Sequence, residues 1–334
     1  MMNKFNYFFF FPLMILSILM AISSNSWFNI WFTMEINLMS FLPMIIINNK
    51  KSLIFMKYFL IQSMSSSIML FSSLPLISSL MYLNTLIITF FYLNMNMAIL
   101  TKLGFPPFFM WYPNLMNKLS WNNCFLLSTF QKIIPFFMLS NLKLFMSLNI
   151  IMSILVSLFS SINNLNFMSI RLMMSFSSLN HMSWLLISLM LSNYLWNMYF
   201  LNYFFLTMTL MHFFKKININ YLNEMMLYKF NNKYIPLIMI LLLLSMGGMP
   251  PLMGFMMKWF SLNIFMSMNM NFLIMTIMIF TSVISMFFYL RLMLSTSILT
   301  KMEFKMKNKK VTSLTSMYLM LMLIFSFNAF MLLI

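Results

Sequence analysis

The chain is 334 residues long; 62% of them are apolar, 18% aromatic and only 7% charged. A water-soluble domain carries about 25% charged residues, and a chain this poor in charge has too little polar surface to enclose an apolar core in water. The charge is also lopsided, with 20 lysines and arginines against 3 glutamates and no aspartate, for a net +17.

A helix crossing a bilayer needs about 20 predominantly apolar residues. By that rule eleven spans are predicted, at 5–22, 27–47, 58–80, 83–117 (interrupted), 121–141, 144–161, 168–191, 194–214, 235–262 (interrupted), 272–296 and 313–334. The first follows Lys4 as a signal peptide would, but it lacks an A-x-A-like cleavage site and runs straight into the second, so it is read as a retained span. The second carries Glu35 at its middle. The fourth holds Lys102-Leu-Gly-Phe-Pro-Pro, where Pro106 and Pro107 remove two helix donors and Gly104 loosens the backbone just after the lysine. In the fifth, Gln131-Lys132 precedes Pro135 in a milder version of this pattern.

In the seventh span Arg171, Ser175, Ser178 and His181 fall within about a third of the helix circumference at roughly 100° per residue. That polar stripe could carry a water chain with His181 as relay, or it could bond helix to helix; Arg171 is read as flanking. His212 lies at a span end beside Lys215 and is read as interfacial. The ninth span holds Gly247-Gly-Met-Pro-Pro-Leu-Met-Gly-Phe-Met-Met-Lys, with Lys258 now after the break. Two polar loops remain, 215–234 and 297–312, the second rich in lysine and read as a headgroup-contacting segment.

Eleven spans place sixteen of the twenty basic residues on the N-terminal face and only Lys143 on the other, while Lys102, Lys132 and Lys258 fall inside spans. That asymmetry matches the positive-inside rule, orienting the N-terminus inward and leaving no support for nucleic-acid binding. Each embedded charge costs about 2.5–3.5 kcal/mol, so Glu35 and the three lysines together would cost roughly 10–14 kcal/mol unpaired. Such groups either snorkel or form structural ion pairs, or they line an ion pathway. The fourth and ninth spans start on opposite faces, and each has a lysine at its break. This arrangement points to an inverted-repeat transporter core whose unwound backbone lines an ion path, the plainer reading being two proline kinks. The whole is expected to be one all-α membrane domain over 1–334. A first repeat at about 1–141 breaks near 104–107, a second at about 144–296 breaks near 247–251, and a C-terminal helix covers 313–334.

Redox or hydrolytic chemistry within this chain has no support. A single cysteine, Cys124, excludes an internal disulfide and a four-cysteine metal site. The two histidines are too far apart for local metal spacing, and Gly104, Gly247, Gly248 and Gly254 match neither a P-loop nor a dinucleotide fingerprint. The 47 methionines and 41 phenylalanines, beside 3 alanines, 4 glycines and 2 arginines, fit an AT-rich animal-type mitochondrial genome that reads ATA as Met. A core chosen for methionine's packing is the alternative.

Five segments in order carry a resemblance over nearly the whole chain. They are Ser26-Trp ahead of Met34-Glu-Ile-Asn-Leu, Lys102-Leu-Gly-Phe-Pro-Pro-Phe-Phe-Met-Trp-Tyr-Pro, Gln131-Lys-Ile-Ile-Pro, Ser175-Phe-Ser-Ser-Leu-Asn-His-Met-Ser-Trp and Gly247-Gly-Met-Pro-Pro-Leu-Met-Gly-Phe-Met-Met-Lys-Trp. Together they resemble the chain 2 family of NADH-ubiquinone oxidoreductase, antiporter-like membrane subunits of respiratory complex I. The resemblance implies a proton channel in which Glu35 pairs with Lys102, Lys132 lies on a central hydrophilic axis and Lys258 sits near the exit. It implies the mitochondrial inner membrane, with the N-terminus in the matrix and the C-terminus in the intermembrane space. It further implies FMN, iron-sulfur clusters and ubiquinone in other subunits and none here, and as partners other membrane-arm subunits, further antiporter-like chains among them, and lipids such as cardiolipin. Where the family commonly has Arg-Lys-Leu, this chain has Arg171-Leu-Met, so Leu172 replaces a lysine. The expected function is proton translocation coupled to electron transfer from NADH to ubiquinone. A stand-alone cation/proton antiporter and a structural spacer of the membrane arm are the rivals.

Overall fold

The computed structural model describes residues 2–48, 52–78, 85–142, 145–227, 234–250, 252–268 and 271–297. The predicted span 313–334, and all but the first residue of the loop 297–312, lie outside the described residues. Two compact units divide the chain, Met1–Met152 and Ser153–Ile334, and the regular elements among the described residues of both are helices.

In the first unit the helices are α1 (Met2–Ser23), α2 (Trp27–Asn48), α3 (Ser52–Ser78), α4 (Thr85–Leu103), α5 (Trp111–Met116), α6 (Trp121–Ser128) and α7 (Phe130–Asn141). Helix α8 (Met146–Asn164) begins here and ends in the second unit, which continues with α9 (Ile170–Leu191), α10 (Asn193–Ile217), α11 (Leu222–Leu227), α12 (Tyr234–Gly247), α13 (Met253–Ser267) and α14 (Phe272–Ser297). Within the first unit α2 packs on α1 and α3, α4 on α3 and α7. Within the second, α12 packs on α13 and α14, and α10 on α9 and α13.

The polarity is inverted relative to a soluble protein. Phe8, Phe71, Leu86, Phe280 and Phe287 are exposed, while Asn96, Asn123, Asn149, Lys102, Lys132 and Lys258 are buried. Four described stretches, Trp27–Ile46, Leu86–Leu103, Met146–Asn164 and Phe272–Leu294, are long and apolar enough by themselves to cross a membrane. Helices α3, α9 and α10 are also long, at 27, 22 and 25 residues, but richer in serine, threonine and asparagine. Many of those hydroxyls turn back onto their own helix, as Ser65 does to Gln62 O (2.8 Å), Ser72 to Met69 O (2.9 Å) and Ser188 to Leu185 O (2.9 Å). That satisfies a hydroxyl where water is absent.

Both predicted interruptions are present and end alike. Helix α4 closes on Gly104 at φ 87°, with Gly104 N–H donating to Thr101 O (3.1 Å) and Phe105 N–H to Leu100 O (2.9 Å). Helix α12 closes on Gly248 at φ 84°, with Gly248 N–H donating to Ser245 O (3.2 Å) and Met249 N–H to Leu244 O (3.2 Å). Each is a Schellman cap, the left-handed residue being glycine because it alone has no Cβ to clash there. In both, the prolines begin two residues after that glycine, where their missing N–H and fixed φ stop the helix from resuming.

A third break was not predicted. The span 121–141 divides at Thr129 (φ −120°, ψ −74°), not at Pro135, which lies inside α7. Phe125 O accepts from the Thr129 N–H (3.1 Å) and from the hydroxyls of Thr129 (2.7 Å) and Ser128 (3.0 Å), a local competition of the kind that bends helices. The loop 215–234 also contains more order than its polarity suggests. Glu224 Oε2 accepts from Asn220 N–H (2.7 Å) and caps α11, and Ser169 pairs with Tyr221 in an isolated antiparallel bridge. Arg291 donates to Leu165 O (2.9 Å) and Phe167 O (3.1 Å), tying α14 to the α8–α9 turn.

Asn96 of α4 donates to Asn149 of α8 at 2.9 Å, both fully buried. Asn96→Leu is expected to lower stability by about 1–3 kcal/mol by removing the donor to the buried Asn149 Oδ1, whereas Asn96→Leu with Asn149→Leu comes closer to the parent. Thermal unfolding of the detergent-solubilised assembly checks this, and equal losses in single and double variants would show that the bond is not what is being broken.

Candidate functional site

The buried charges collect at the open ends of the broken helices. A helix C-terminus leaves carbonyls without intrahelical donors and carries a partial negative charge, and a Schellman cap covers only some of them.

In the first unit, Lys102 lies in the last turn of α4 and is 6% exposed. Its ammonium reaches Met34 Sδ on α2 at 3.0 Å. Glu35, the next residue, interacts with Lys102 electrostatically, so the two expected partners are neighbours, although the hydrogen bond of the ammonium goes to the thioether. A thioether is a weak acceptor, which leaves the buried charge poorly compensated. Lys132, 1% exposed, extends from α7 and donates to Leu103 O, the carbonyl of the final α4 residue. The Tyr112 ring centroid is 4.3 Å from its Nζ and that of Trp111 is 5.6 Å away, both within cation–π range. The side chain of one lysine thus ends on the residue that follows the other.

Beside them runs a polar chain. Tyr58 Oη donates to Gln131 Oε1 (3.4 Å), and Gln131 Nε2 donates to Asn37 Oδ1 (2.9 Å) and approaches Met14 Sδ (3.5 Å). Gln131 adjoins Lys132 in sequence and Asn37 lies two residues past Glu35. Asn37 and Tyr58 are functional groups that the sequence did not single out; Asn37 stands two residues past Glu35 in an apolar span, whereas nothing marked Tyr58.

In the second unit, Lys258 of α13 is 6% exposed and donates to Gly247 O, the last α12 residue, at 3.4 Å. His181 of α9 contacts the preceding carbonyl, Met246 O, through Nε2 (3.2 Å), and Tyr199 Oη through Nδ1 (3.1 Å). A carbonyl only accepts, so the neutral ring carries its proton on Nε2 and its Nδ1 accepts from the tyrosine hydroxyl. His181 and Lys258 therefore occupy consecutive carbonyls and interact electrostatically. Tyr199 is a site residue that the sequence did not single out. In the predicted stripe, Ser175 and Ser178 donate to Leu172 O and Ser175 O, each at 2.7 Å. His212 is exposed near the end of α10.

The two units share one construction. A lysine ammonium rests on the carbonyl that immediately precedes the left-handed glycine, Leu103 in one case and Gly247 in the other. Such an arrangement holds a cation by dipoles and lone pairs where water is scarce, and it can release a proton without leaving a buried anion behind. Among the described residues no group of three histidine, cysteine or acidic side chains is placed to hold a metal.

Residues 24–285 match the family model described as NADH:quinone oxidoreductase/Mrp antiporter, TM. NADH-ubiquinone oxidoreductase chain 2 of Anopheles gambiae is 37% identical over 283 residues, covering 82% of this chain and 81% of that protein. Among solved structures, respiratory complex I from Thermus thermophilus contains a chain that superposes with a TM-score of 0.85 at 14% identity, covering 97% of this chain and 78% of the other. A chain of the Mrp complex from Dietzia sp. DQ12-45-1b gives 0.74 at 12% identity, covering 85% and 58%. The family-model match and the sequence identity lead to one assignment: the chain belongs to the NADH:quinone oxidoreductase/Mrp antiporter family, and within it to the NADH-ubiquinone oxidoreductase chain 2 proteins.

Proposed function

We propose that this chain is a proton-translocating membrane subunit of a complex I-type NADH:ubiquinone oxidoreductase, with Glu35, Lys102, Lys132 and Lys258 as its proton-carrying groups and His181 as a relay beside Lys258. The observation that carries the reading is the lysine resting on an open helix C-terminus in each unit. A charge held by carbonyls, a thioether and ring faces responds to small displacements, because each of these contacts is short-ranged.

Glu35 supplies the switching charge. With the carboxylate near, the protonated form of Lys102 is favoured; drawing it away leaves the ammonium facing a thioether and drives its proton onward. An opposite charge within about 4–6 Å biases a neighbour's protonation equilibrium by roughly 10- to 1,000-fold, which suffices for a switch. The adjacency of Lys102 and the Lys132 anchor at Leu103 supports transfer between these two. Flavin, iron-sulfur and quinone chemistry belong in this reading to other subunits, and the long-range energy arrives from them. The chain crosses the inner mitochondrial membrane eleven times as an inverted repeat, with the N-terminus in the matrix and the C-terminus in the intermembrane space.

The experiment is proton pumping by the assembled complex in sealed vesicles. Glu35→Gln combined with Lys258→Met is expected to abolish most NADH-driven proton uptake into the vesicle while the subunit still co-purifies with flavin and quinone-reductase activity. Full pumping in that variant would favour a spacer role, and sodium- or potassium-driven proton exchange by the subunit alone would favour a free antiporter.

A further inference from the structure

A cavity of about 670 Å³ opens in the first unit between α3 and the 107–118 segment, a size within the usual range of small-ligand sites. Lys57 and Lys118 line it, both exposed, together with the exposed side chains of Asn114 and Asn117. Among the described residues, no acidic side chain lines it. Its inner wall includes Tyr58 and Trp111, 2% and 8% exposed. We propose that this cavity binds the phosphodiester of an anionic phospholipid headgroup, with Lys57 and Lys118 as its charged ligands.

The chemistry favours that class of occupant. Two ammoniums and two amides present several donors among the described lining residues, a set that repels a cation and favours an anion with several acceptor oxygens. The cavity opens among apolar surface, including Phe108 and Met110 at 62% and 52% exposure, which suits a ligand whose charged head is joined to acyl chains. Both lysines fall on the basic face of the predicted topology, and basic pockets between spanning helices on that side bind anionic headgroups.

Occupancy would also touch the proton site. Trp111 lines the cavity and its ring lies 5.6 Å from the Lys132 ammonium, while Tyr58 lines it and bonds Gln131. A seated headgroup would hold the wall that closes Lys132 off from the surface. Lipid binding at this cavity stands whichever route protons take.

The test uses the assembled complex in lipid nanodiscs containing a photoactivatable phosphatidylglycerol, with labelling of the 57–61 and 107–118 peptides read by mass spectrometry. Lys57→Gln with Lys118→Gln is expected to reduce labelling about thirtyfold, each ammonium near an anionic headgroup strengthening binding about fivefold to sixfold. Lys57→Arg with Lys118→Arg, which keeps the charge, is expected to restore it and so to exclude misfolding as the cause. Equal labelling in the parent and the glutamine variant would overturn the proposal. Displacement of the lipid label by inorganic phosphate would overturn it as well, by assigning the cavity to a free anion.

Discussion

Replacing Lys102 with methionine is expected to leave the subunit assembled and to slow coupled turnover of the complex about a hundredfold, the scale of losing a positioned proton-transfer group. The separation of these two effects follows from the local packing. Lys102 is buried with its ammonium 3.0 Å from the Met34 thioether. Methionine fills much the same volume and places an apolar end against an apolar neighbour. The exchange removes the cost of burying an ammonium, and Glu35, which loses a neighbouring positive charge, is only half-buried and keeps access to solvent. A structural lysine would show the reverse pattern, with assembly damaged and turnover per assembled complex unchanged. Native-gel quantification of assembly, set beside NADH-driven turnover in sealed vesicles, separates the two.

Gly254→Ala is expected to act through the backbone. A Cβ at this position would lie 1.8 Å from Ser245 O, an α12 carbonyl, and 3.6 Å from the Gly248 Cα. The first turn of α13 must therefore move off the end of α12, carrying Lys258 away from Gly247 O. Overpacking of this kind costs typically about 1–3 kcal/mol and occasionally more, and a backbone clash with no flexible neighbour belongs at the upper end. The expected result is a destabilisation of about 3 kcal/mol, seen as a lowered Tm and a loss of assembled subunit. Gly247→Ala is the control, since its Cβ would meet only side-chain atoms, Tyr289 Cδ2 at 3.4 Å and Met286 Cγ at 3.7 Å among them. Helix propensity favours alanine over glycine, so comparable losses in the two variants would show that the α12–α13 approach is not the cause.

Much of the architecture was legible because apolar spans make exceptions conspicuous. Glu35, Lys102, Lys132 and Lys258 stand out in segments with almost no other charge, and the glycine and proline clusters mark two helix ends that the structure places at Leu103 and Gly247. What holds each charge was not legible. The carbonyl that receives Lys132 belongs to a residue 29 positions earlier, the carbonyl that receives His181 to one 65 positions later, and no local periodicity encodes such meetings. The break at Thr129 escaped for a different reason. It arises from hydroxyls competing for one carbonyl, with neither glycine nor proline to announce it, while Pro135 was accommodated within a continuing helix. Glu224 could be assigned only once its bond to Asn220 N–H was seen. That bond makes it a helix cap and leaves Glu35 as the one described acid within a span.

The most direct test is the number of protons moved per electron by the assembled complex in sealed vesicles when Lys102, Lys132 and Lys258 are all replaced by methionine. Proton transfer through these lysines predicts a ratio clearly below that of the parent complex, with the subunit still incorporated. A parent ratio from fully assembled triple-variant complex would contradict it and leave these lysines as structural groups only.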